Sequence, residues 1–351
     1  GNTGDSTTLN PEVKRVQDRF GIKPFVVVGD RGMISQKQVD ELKGMGGMEW
    51  ITALKSAAIR KLIEGGALQL GLFDERNLFE LADPAFPDER LIACRNPELQ
   101  KLRGHKRRSL LEATARELEQ VRGMVGRGNL KGKDVIGVRV GQVVNKYKVA
   151  KHFVLDIRDE NFAFHIDEGR VAAEALLDGI YVIRTGLAKE RISAEDTVRS
   201  YKDLSQVERA FRSIKTMDLK VRPIHHHLEN RVRAHLFLCM LAYYVEWHMR
   251  DAWRSLLICD EDQAAKKTRD PVAPAKRSKA ALEKVHSKLL DDGTTAHSFQ
   301  TLLDLLSTIV RNTCRVPGAG PQAPTFELVT EPNAKQQRAF DLLGRISWQS
   351  P

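Results

Sequence analysis

The sequence has few cysteines and no long apolar run, and each absence excludes a class of protein. Its four cysteines are far apart and form no CxxC pair, so neither a disulfide framework nor a zinc knuckle is expected. No uninterrupted apolar stretch approaches the roughly 18 residues of a transmembrane helix. The chain opens at Gly1 without an initiator Met or the basic and apolar segments of a signal peptide. These features predict a cytoplasmic protein, and the opening residues indicate a fragment.

Basic residues outnumber acidic ones. The 56 Lys and Arg residues against 46 Asp and Glu give a formal net charge of +10. The hydrophobic content of 42% is that of an ordinary globular protein. An excess of positive charge favours polyanionic partners, nucleic acids above all, because basic side chains contact phosphates and release counterions. Charge alone does not establish such a partner, since many basic proteins bind no nucleic acid.

The first clear element is a continuous apolar run from Phe25 to Val28. Because it does not alternate, both faces should be buried, as in a central strand of an α/β sheet. A turn is predicted at Gly29–Gly32, followed by a helix from Ser35 to about Lys43. A second strand is predicted at Glu49–Leu54. This strand–helix–strand order predicts a sheet covered by helices.

Between residues 56 and 190 the pattern changes. A charged, helix-favouring part with proline breaks comes first, and segments with alternating apolar residues follow. The strands predicted there are Val135–Val140, Phe153–Ile157, Phe162–Ile166 and Asp178–Thr185. Because this region separates the first α/β unit from later helices, residues 56–190 are predicted to form an inserted subdomain, helical and then β-rich.

A helical pattern of apolar residues begins again at Ser193. Ser193 together with Asp196, three residues later, resembles a capping box. One helix is predicted to run from Ser193 to about Lys215. A second is predicted from Glu229 to Trp253, and its most apolar stretch, Ala234–Trp247, has a length that fits a buried helix. Residues 257–279 are polar and contain prolines, which predicts a linker. Amphipathic helices are predicted at 280–290 and 298–310.

The helix predicted from Ser193 to Lys215 has one apolar face at about 100° per residue. The members of this face, expected to point into the core, are Leu204, Val207, Phe211 and Ile214. Tyr201, Glu208 and Lys215 are spaced by seven and should stack along its edge. At that edge a carboxylate would be rigid and partly desolvated. The alternative is an ordinary i,i+4 ion pair between Glu208 and Arg212.

The segment from Tyr201 to Lys215 resembles the signature helix of insertion-sequence transposases of the DDE type. Tyr201, Glu208 and Lys215 match the tyrosine, the catalytic glutamate and the lysine of that motif. Leu204 stands where many members have an arginine, which removes one phosphate contact. Further segments resemble the family in the same order: the Gly-Asn-Thr-x-Asp turn in Gly1–Ser6, the strand ending in the second catalytic Asp in Val26–Met33, and the region after the glutamate in Leu219–His227 and Arg231–His235.

The resemblance implies a ribonuclease-H-like α/β fold, with a mixed sheet, covering helices, a β-rich insertion and a helical C-terminal part. Residues 1–55 and 191–256 would be the two halves of the catalytic domain, the first of them partial. Residues 56–190 would be the insertion, 257–279 a linker and 280–351 the helical C-terminal region.

The resemblance also implies the site residues. Asp30 and Glu208 would be catalytic acids that hold Mg²⁺ or Mn²⁺, ions that prefer oxygen ligands. The residues that would contact DNA phosphates are Tyr201, Arg212, Lys215 and Arg31.

The implied activity is DNA transposition, by metal-dependent phosphodiester cleavage and strand transfer at the ends of an insertion sequence. The partners would be double-stranded DNA, at the terminal inverted repeats and the target, and a second copy of the chain in a synaptic homodimer. No membrane is involved, and the location would be the bacterial cytoplasm at the nucleoid. In this family the first catalytic Asp precedes the Gly-Asn-Thr turn, so the chain is expected to lack one of three metal ligands and to be inactive alone.

Two other functions fit the same residues. The chain could be a catalytically inactive, DNA-binding transposase remnant that acts as a repressor or dimer partner, or a metal-dependent nuclease unrelated to transposition. A metal site at His225–His227 is disfavoured, because three adjacent side chains of a regular element cannot all point at one ion. The basic run Lys101–Arg108 is interpreted either as a DNA contact or as a solvated face.

Overall fold

The computed structural model describes residues 4–22, 24–217, 219–261, 268–274, 276–318, 320 and 322–346. The chain divides into two compact units, the first formed by residues 1–204 with 270–274 and the second by residues 205–269 with 275–351. Each unit is described by itself. Within the described ranges, no helix is both long enough and apolar enough to cross a membrane. Gly1–Thr3, part of the predicted turn motif, lie outside the described residues.

The first unit is built around a five-stranded mixed sheet with the order β1–β2–β7–β4–β3. Its strands are β1 (Phe25–Val28), β2 (Met48–Ala53), β3 (Leu78–Leu81), β4 (Arg90–Arg95) and β7 (Ile180–Thr185). β1 runs parallel to β2, and the other neighbouring strands are antiparallel. The predicted α/β class and the strands predicted near residues 25, 49 and 178 are confirmed. The central position predicted for β1 is wrong, because β1 lies at the edge of the sheet and only Val27 of its four residues is buried. The ribonuclease-H-like topology stays a prediction.

Helices cover both faces of this sheet. The covering helices are α1 (Asp5–Phe20), α2 (Gln36–Gly44), α3 (Ser56–Glu64) and α7 (Ala194–Lys202). Consecutive residues of β2 point to opposite faces, as in any strand. Trp50 packs in a cluster with Val39 of α2, and Ile51 packs in another with Val198 of α7. The two faces of β2 are therefore both buried.

Part of the predicted linker contributes to this core. Val272 is buried in the same cluster as Ile51 and Val198. Its carbonyl oxygen accepts a hydrogen bond from Asn96 Nδ2 at 3.3 Å. Residues 262–267 and 275 of the linker lie outside the described residues. The described segment 270–274 is therefore a packed part of the first unit instead of a solvated connection.

A second core within the first unit is formed by helices and a hairpin that follow β4. These elements are α4 (Pro97–Gly126), α5 (Lys133–Tyr147), β5 (Phe153–Ile157), β6 (Phe162–Ile166) and α6 (Glu168–Ala175). The predicted strand Val135–Val140 is wrong, because this segment lies in α5. Ile136, Val140 and Val144 are spaced by four and form a buried helical stripe in the same cluster as Leu118 of α4. Over these six residues, the β-branched run Val135–Val140 fits both the alternating pattern of a strand and the three- to four-residue spacing of a helix.

The β-rich character predicted for residues 56–190 is divided between two places. Only the β5–β6 hairpin forms a separate two-stranded sheet, whereas β3, β4 and β7 belong to the main sheet. β7 pairs with both β2 and β4. Strands of the predicted insertion and the strands before it therefore belong to one sheet. The boundaries at residues 56 and 190 stay a prediction.

The second unit is mainly helical. Its elements are α8 (Leu204–Arg212), whose first residue belongs to the first unit, a π-helical turn (Ser213–Met217), α9 (Glu229–Ala252), α10 (Lys279–Ser287), α11 (Phe299–Leu306), β8 (Arg311–Arg315), β9 (Thr325–Val329) and α12 (Ala334–Gly344). Trp253 is fully buried at its centre and donates a hydrogen bond to the Ala339 carbonyl at 2.9 Å. The predicted helices after residue 280 are present as α10 and α11, and the β8–β9 hairpin was not predicted.

The predicted burial of α9 is wrong. Phe237, Met240 and Trp247 are each more than half exposed, and Glu246 is the buried residue of this helix. Apolar residues occur all around α9, a pattern that normally indicates a fully buried helix. Within the second unit, however, α9 packs mainly at the C-terminal end of the helix, where Met249 contacts the cluster around Trp253.

The chemical reactivity of Cys94 tests the packing of the main sheet. Cys94 lies in β4 and is fully buried, and burial raises the pKa of its thiol to about 12. Since the thiolate is the nucleophile, only about one thiol in ten thousand would be ionised at pH 8. We expect iodoacetamide at pH 8 to leave Cys94 unmodified in the native chain, while the partly exposed Cys314 is alkylated. Peptide mass spectrometry measures both sites, with urea-unfolded protein as the control. Equal native rates at the two cysteines would contradict the burial of β4.

Candidate functional site

Asp30 lies in a tight turn directly after β1. Its Oδ1 accepts hydrogen bonds from the backbone amides of Gly32, at 2.7 Å, and Met33, at 2.8 Å. Its backbone carbonyl accepts another from the Ile34 amide at 3.0 Å. The turn is closely packed, because a Cβ at Gly29 would lie 2.8 Å from Ile34 Cδ1. The local backbone therefore fixes the orientation of this carboxylate.

The other carboxylate oxygen of Asp30 is open. The side chain is exposed, and Oδ2 accepts no hydrogen bond from any residue that the structure describes. An ionised carboxylate has lone pairs on both oxygens, so Asp30 can offer Oδ2 to an external cation. Arg31, the next residue, is also exposed and forms no ion pair within the described ranges. Both predicted site residues of this turn are thus accessible.

A buried ion pair lies beside the start of α2, the helix that follows the turn. Arg184 of β7 donates from Nε and Nη2 to the two carboxylate oxygens of Glu89, each at 2.6 Å. Its Nη1 donates to Gln36 Oε1 at 3.0 Å. Gln36 is the first residue of α2, so this network connects the helix that follows the Asp30 turn to the sheet. Sequence reasoning missed it, because Gln36 and Glu89 are 148 and 95 residues from Arg184.

The helix predicted from Ser193 to Lys215 begins as expected. The Ser193 hydroxyl oxygen accepts a hydrogen bond from the Asp196 amide at 3.0 Å, and Ser193 Oγ donates to the Asp196 carboxylate at 2.9 Å. The predicted single helix is nevertheless wrong. It ends at Lys202, resumes as α8 at Leu204 and turns into a π-helical segment at Ser213. Single π-helical turns occur frequently at functional sites.

The predicted site residues of this region are consequently divided among three elements. Tyr201 lies in α7 and packs against the core cluster of the first unit. Glu208 and Arg212 lie in α8, and Lys215 lies in the π-helical turn, all in the second unit. Tyr201, Glu208 and Lys215 therefore do not lie on one continuous helix as predicted, because α7 ends at Lys202.

The predicted core-facing stripe of α8 is not buried within the second unit. Val207 is 50% exposed and Phe211 is 54% exposed, and α8 has no buried residue. Glu208 is exposed and takes part in no ion pair within the described part of the chain, so the alternative pair with Arg212 is not formed. Lys215 Nζ lies 5.2 Å from the centroid of the Phe211 ring. The apolar spacing was identified correctly, but this face is not covered in the second unit.

The donor atoms fit a hard divalent cation. Asp30 and Glu208 present exposed carboxylate oxygens, which suit Mg²⁺ or Mn²⁺ better than softer metals. Among the described residues, no group of three His, Cys, Asp or Glu side chains is assembled to hold a metal ion, and this includes the histidines at 225–227. Asp30 and Glu208 belong to different compact units, and each carboxylate is therefore described within its own unit.

Comparison with protein families identifies the family of the chain. No curated protein and no solved structure shows significant similarity to the chain. A family model described as a transposase DDE domain matches residues 1–245, which is more than half of the chain and includes both Asp30 and Glu208. On this match, the chain belongs to the transposase DDE domain family.

Proposed function

We propose that this chain is the catalytic region of a DNA transposase that cleaves phosphodiester bonds at the ends of an insertion sequence and joins them to target DNA. The observation that carries the proposal is the carboxylate of Asp30, which is held by two backbone amides and keeps Oδ2 open within the matched domain. Transposases of this family bind DNA and generally use divalent metal ions.

Asp30 and Glu208 are the proposed metal ligands, and Mg²⁺ or Mn²⁺ is the proposed ion. A bound divalent ion supplies Lewis-acid chemistry, which activates a nucleophilic water or 3′-hydroxyl and stabilises the leaving oxygen. The role of Asp30 is to present Oδ2 in a fixed direction, because the amides of Gly32 and Met33 hold its other oxygen. Glu208 contributes an exposed carboxylate from α8.

Basic and hydroxyl side chains within seven residues of one of these acids in the sequence are proposed to bind DNA phosphates. Lys215 acts as a point charge and Arg212 as a bidentate partner, while Tyr201 and Arg31 add further contacts. The substrate is double-stranded DNA at the terminal inverted repeats and the target. A second copy of the chain is the proposed partner when two element ends are brought together, and the bacterial nucleoid is the proposed location.

Binding of Mn²⁺ to the purified chain tests the role of Asp30. Asp30→Asn keeps the size of the side chain but removes its charge, so we expect Mn²⁺ affinity to fall about tenfold or more, since even the loss of an outer-shell partner costs 10- to 100-fold. Asp18→Asn, at an exposed position of α1, is the matched control and should bind like the wild type. Electron paramagnetic resonance of free Mn²⁺ gives both affinities.

Equal Mn²⁺ affinity in wild type and Asp30→Asn would contradict the proposal. If the wild type bound element-end DNA but no Mn²⁺, a catalytically inactive remnant that acts as a repressor or dimer partner would be favoured. Metal-dependent cleavage of random DNA without joined products would favour an unrelated nuclease.

A further inference from the structure

The first half of α4 is strongly basic and exposed. Residues 101–108 contain five Lys and Arg and no acidic residue. The four cations of this segment that are exposed and form no ion pair within the described ranges are Lys101, Arg103, Lys106 and Arg108. By contrast, residues 109–126 of the same helix contain two basic and three acidic residues. The basic charge is therefore confined to one half of a single helix.

This half of α4 is rigidly attached to the main sheet. Asn96 caps the helix by accepting a hydrogen bond from the Leu99 amide at 3.0 Å, and a proline occupies the first turn. Arg107, the fifth cation, points inward and forms an ion pair with the buried Asp178 at 2.5 Å. Gly179 permits close packing there, because a Cβ would lie 2.5 Å from the Asn96 carbonyl oxygen. The exposed cations are thus held on a fixed support.

The exposed cations form two rows on the helix surface. Lys101 and Arg108 are seven residues apart and lie in one row, about 10 Å long at 1.5 Å per residue. Arg103 and Lys106, three residues apart, form the other row. Between the rows lie Leu102, which is 67% exposed, and His105. A helix with cations along both flanks matches a DNA groove, where phosphates line both sides and the major groove admits one helix.

A solvated helix face is the alternative, and the charge pattern disfavours it. Solvated faces are usually stabilised by opposite charges three or four residues apart. The second half of α4 shows this arrangement, since Arg122 pairs with Glu119 at 2.6 Å. In the first half, Glu98 lies three residues before Lys101 and Glu112 four residues after Arg108, but neither acid forms an ion pair within the described ranges. Arg103 and Lys106 have no acid three or four residues away, so their like charges repel. A polyanion would remove that repulsion.

We propose that the first half of α4 is a duplex-DNA-binding surface, in which the two cation rows contact phosphates on either side of a groove and the strip with Leu102 and His105 faces its floor. The identity of the ligand rests on the proposed transposase function. The site itself is separate from Asp30 and Glu208 in sequence and needs no metal ion.

The salt dependence of DNA binding tests this surface. A 30-base-pair duplex is titrated with the full chain in EDTA at about 50 to 200 mM salt, where each phosphate contact contributes about 0.9 to the slope of log K against log salt. The variant Lys101→Gln/Arg108→Gln should lower this slope by about 1.8 and weaken binding. The control Lys131→Gln/Lys133→Gln removes the same charge from the segment beyond the other end of α4 and should leave the slope nearly unchanged. Thermal unfolding verifies that both variants are folded.

Equal slope changes in both variants, or no change in the first, would overturn the proposal. The DNA-binding surface of α4 and the metal-binding role of Asp30 can fail independently of each other. The DNA titration contains EDTA and so needs no metal ion, and the Mn²⁺ titration contains no DNA. If Asp30→Asn kept its Mn²⁺ affinity while Lys101→Gln/Arg108→Gln reduced the slope, the DNA surface would stand and the catalytic assignment would fall.

Discussion

Replacing Glu208 by glutamine is expected to lower the frequency of transposition by about 10³-fold or more. Glutamine has nearly the same size and retains one carbonyl oxygen, but it removes the negative charge that binds a divalent ion. Metal ions contribute several kcal/mol to phosphodiester chemistry, and each 1.36 kcal/mol changes a rate tenfold. The measurement is the transposition frequency in bacteria that express the complete reading frame, together with the yield of cleaved element ends in vitro.

The control for this substitution is Glu195→Gln. Glu195 is an exposed carboxylate in α7 and forms no ion pair with any described residue. Its replacement removes the same charge from the helix that precedes α8 in the sequence and should leave transposition within a few-fold of wild type. The comparison separates loss of a metal ligand from a general change in net charge, which would affect both variants equally.

The role of Glu208 can also be separated from that of a simple helix-stabilising residue. If Glu208 served only as an i,i+4 partner of Arg212, Glu208→Gln and Arg212→Gln would both leave transposition unchanged. Under the proposed function, both variants lose activity. Only Glu208→Gln is then expected to weaken Mn²⁺ binding, whereas Arg212→Gln should weaken DNA binding. Normal transposition by Glu208→Gln would reject Glu208 as a metal ligand.

The position of Asp30 could be predicted from the sequence because it depends on local structure. A continuous apolar run predicted β1, and the glycines after it predicted the turn. The structure confirms both and adds the two amide hydrogen bonds to Oδ1. These interactions extend over only a few residues, so the information that determines them is contained within one short segment.

The environment of Glu208 was predicted less well, because it depends on contacts that periodicity does not contain. The apolar positions of α8 were identified, but the interruption after Lys202 and the π-helical turn were not. Similarly, the β-branched residues of α5 favoured a strand, and packing against α4 selected the helix. Intrinsic propensity is a weak preference that tertiary contacts override.

The buried network around Arg184 gives the second large prediction. The side chain of Glu89 is 1% exposed and that of Arg184 is 6% exposed. Glu89→Gln would leave the Arg184 guanidinium buried without its counter-charge, and breaking such a pair typically costs about 3–5 kcal/mol. We expect the amide protons of β7, which contains Arg184, and of β4, which directly follows Glu89, to exchange faster by a corresponding factor. Hydrogen exchange measures the first unit separately, which a global unfolding curve of a two-unit chain would not.

Two further variants determine whether the loss of exchange protection is caused by the unpaired buried charge of Arg184. Glu12→Gln removes one partner of an exposed ion pair with Arg15 in α1 and should change little, because exposed pairs contribute weakly. The double variant Glu89→Leu/Arg184→Met removes both buried charges, and such replacements are often neutral or stabilising. It should therefore recover much of the protection lost in Glu89→Gln. It would still lack the hydrogen bond from Arg184 to Gln36 at the start of α2. Recovered stability with Mn²⁺ affinity still reduced would then show that the network positions the Asp30 turn as well as stabilising the sheet.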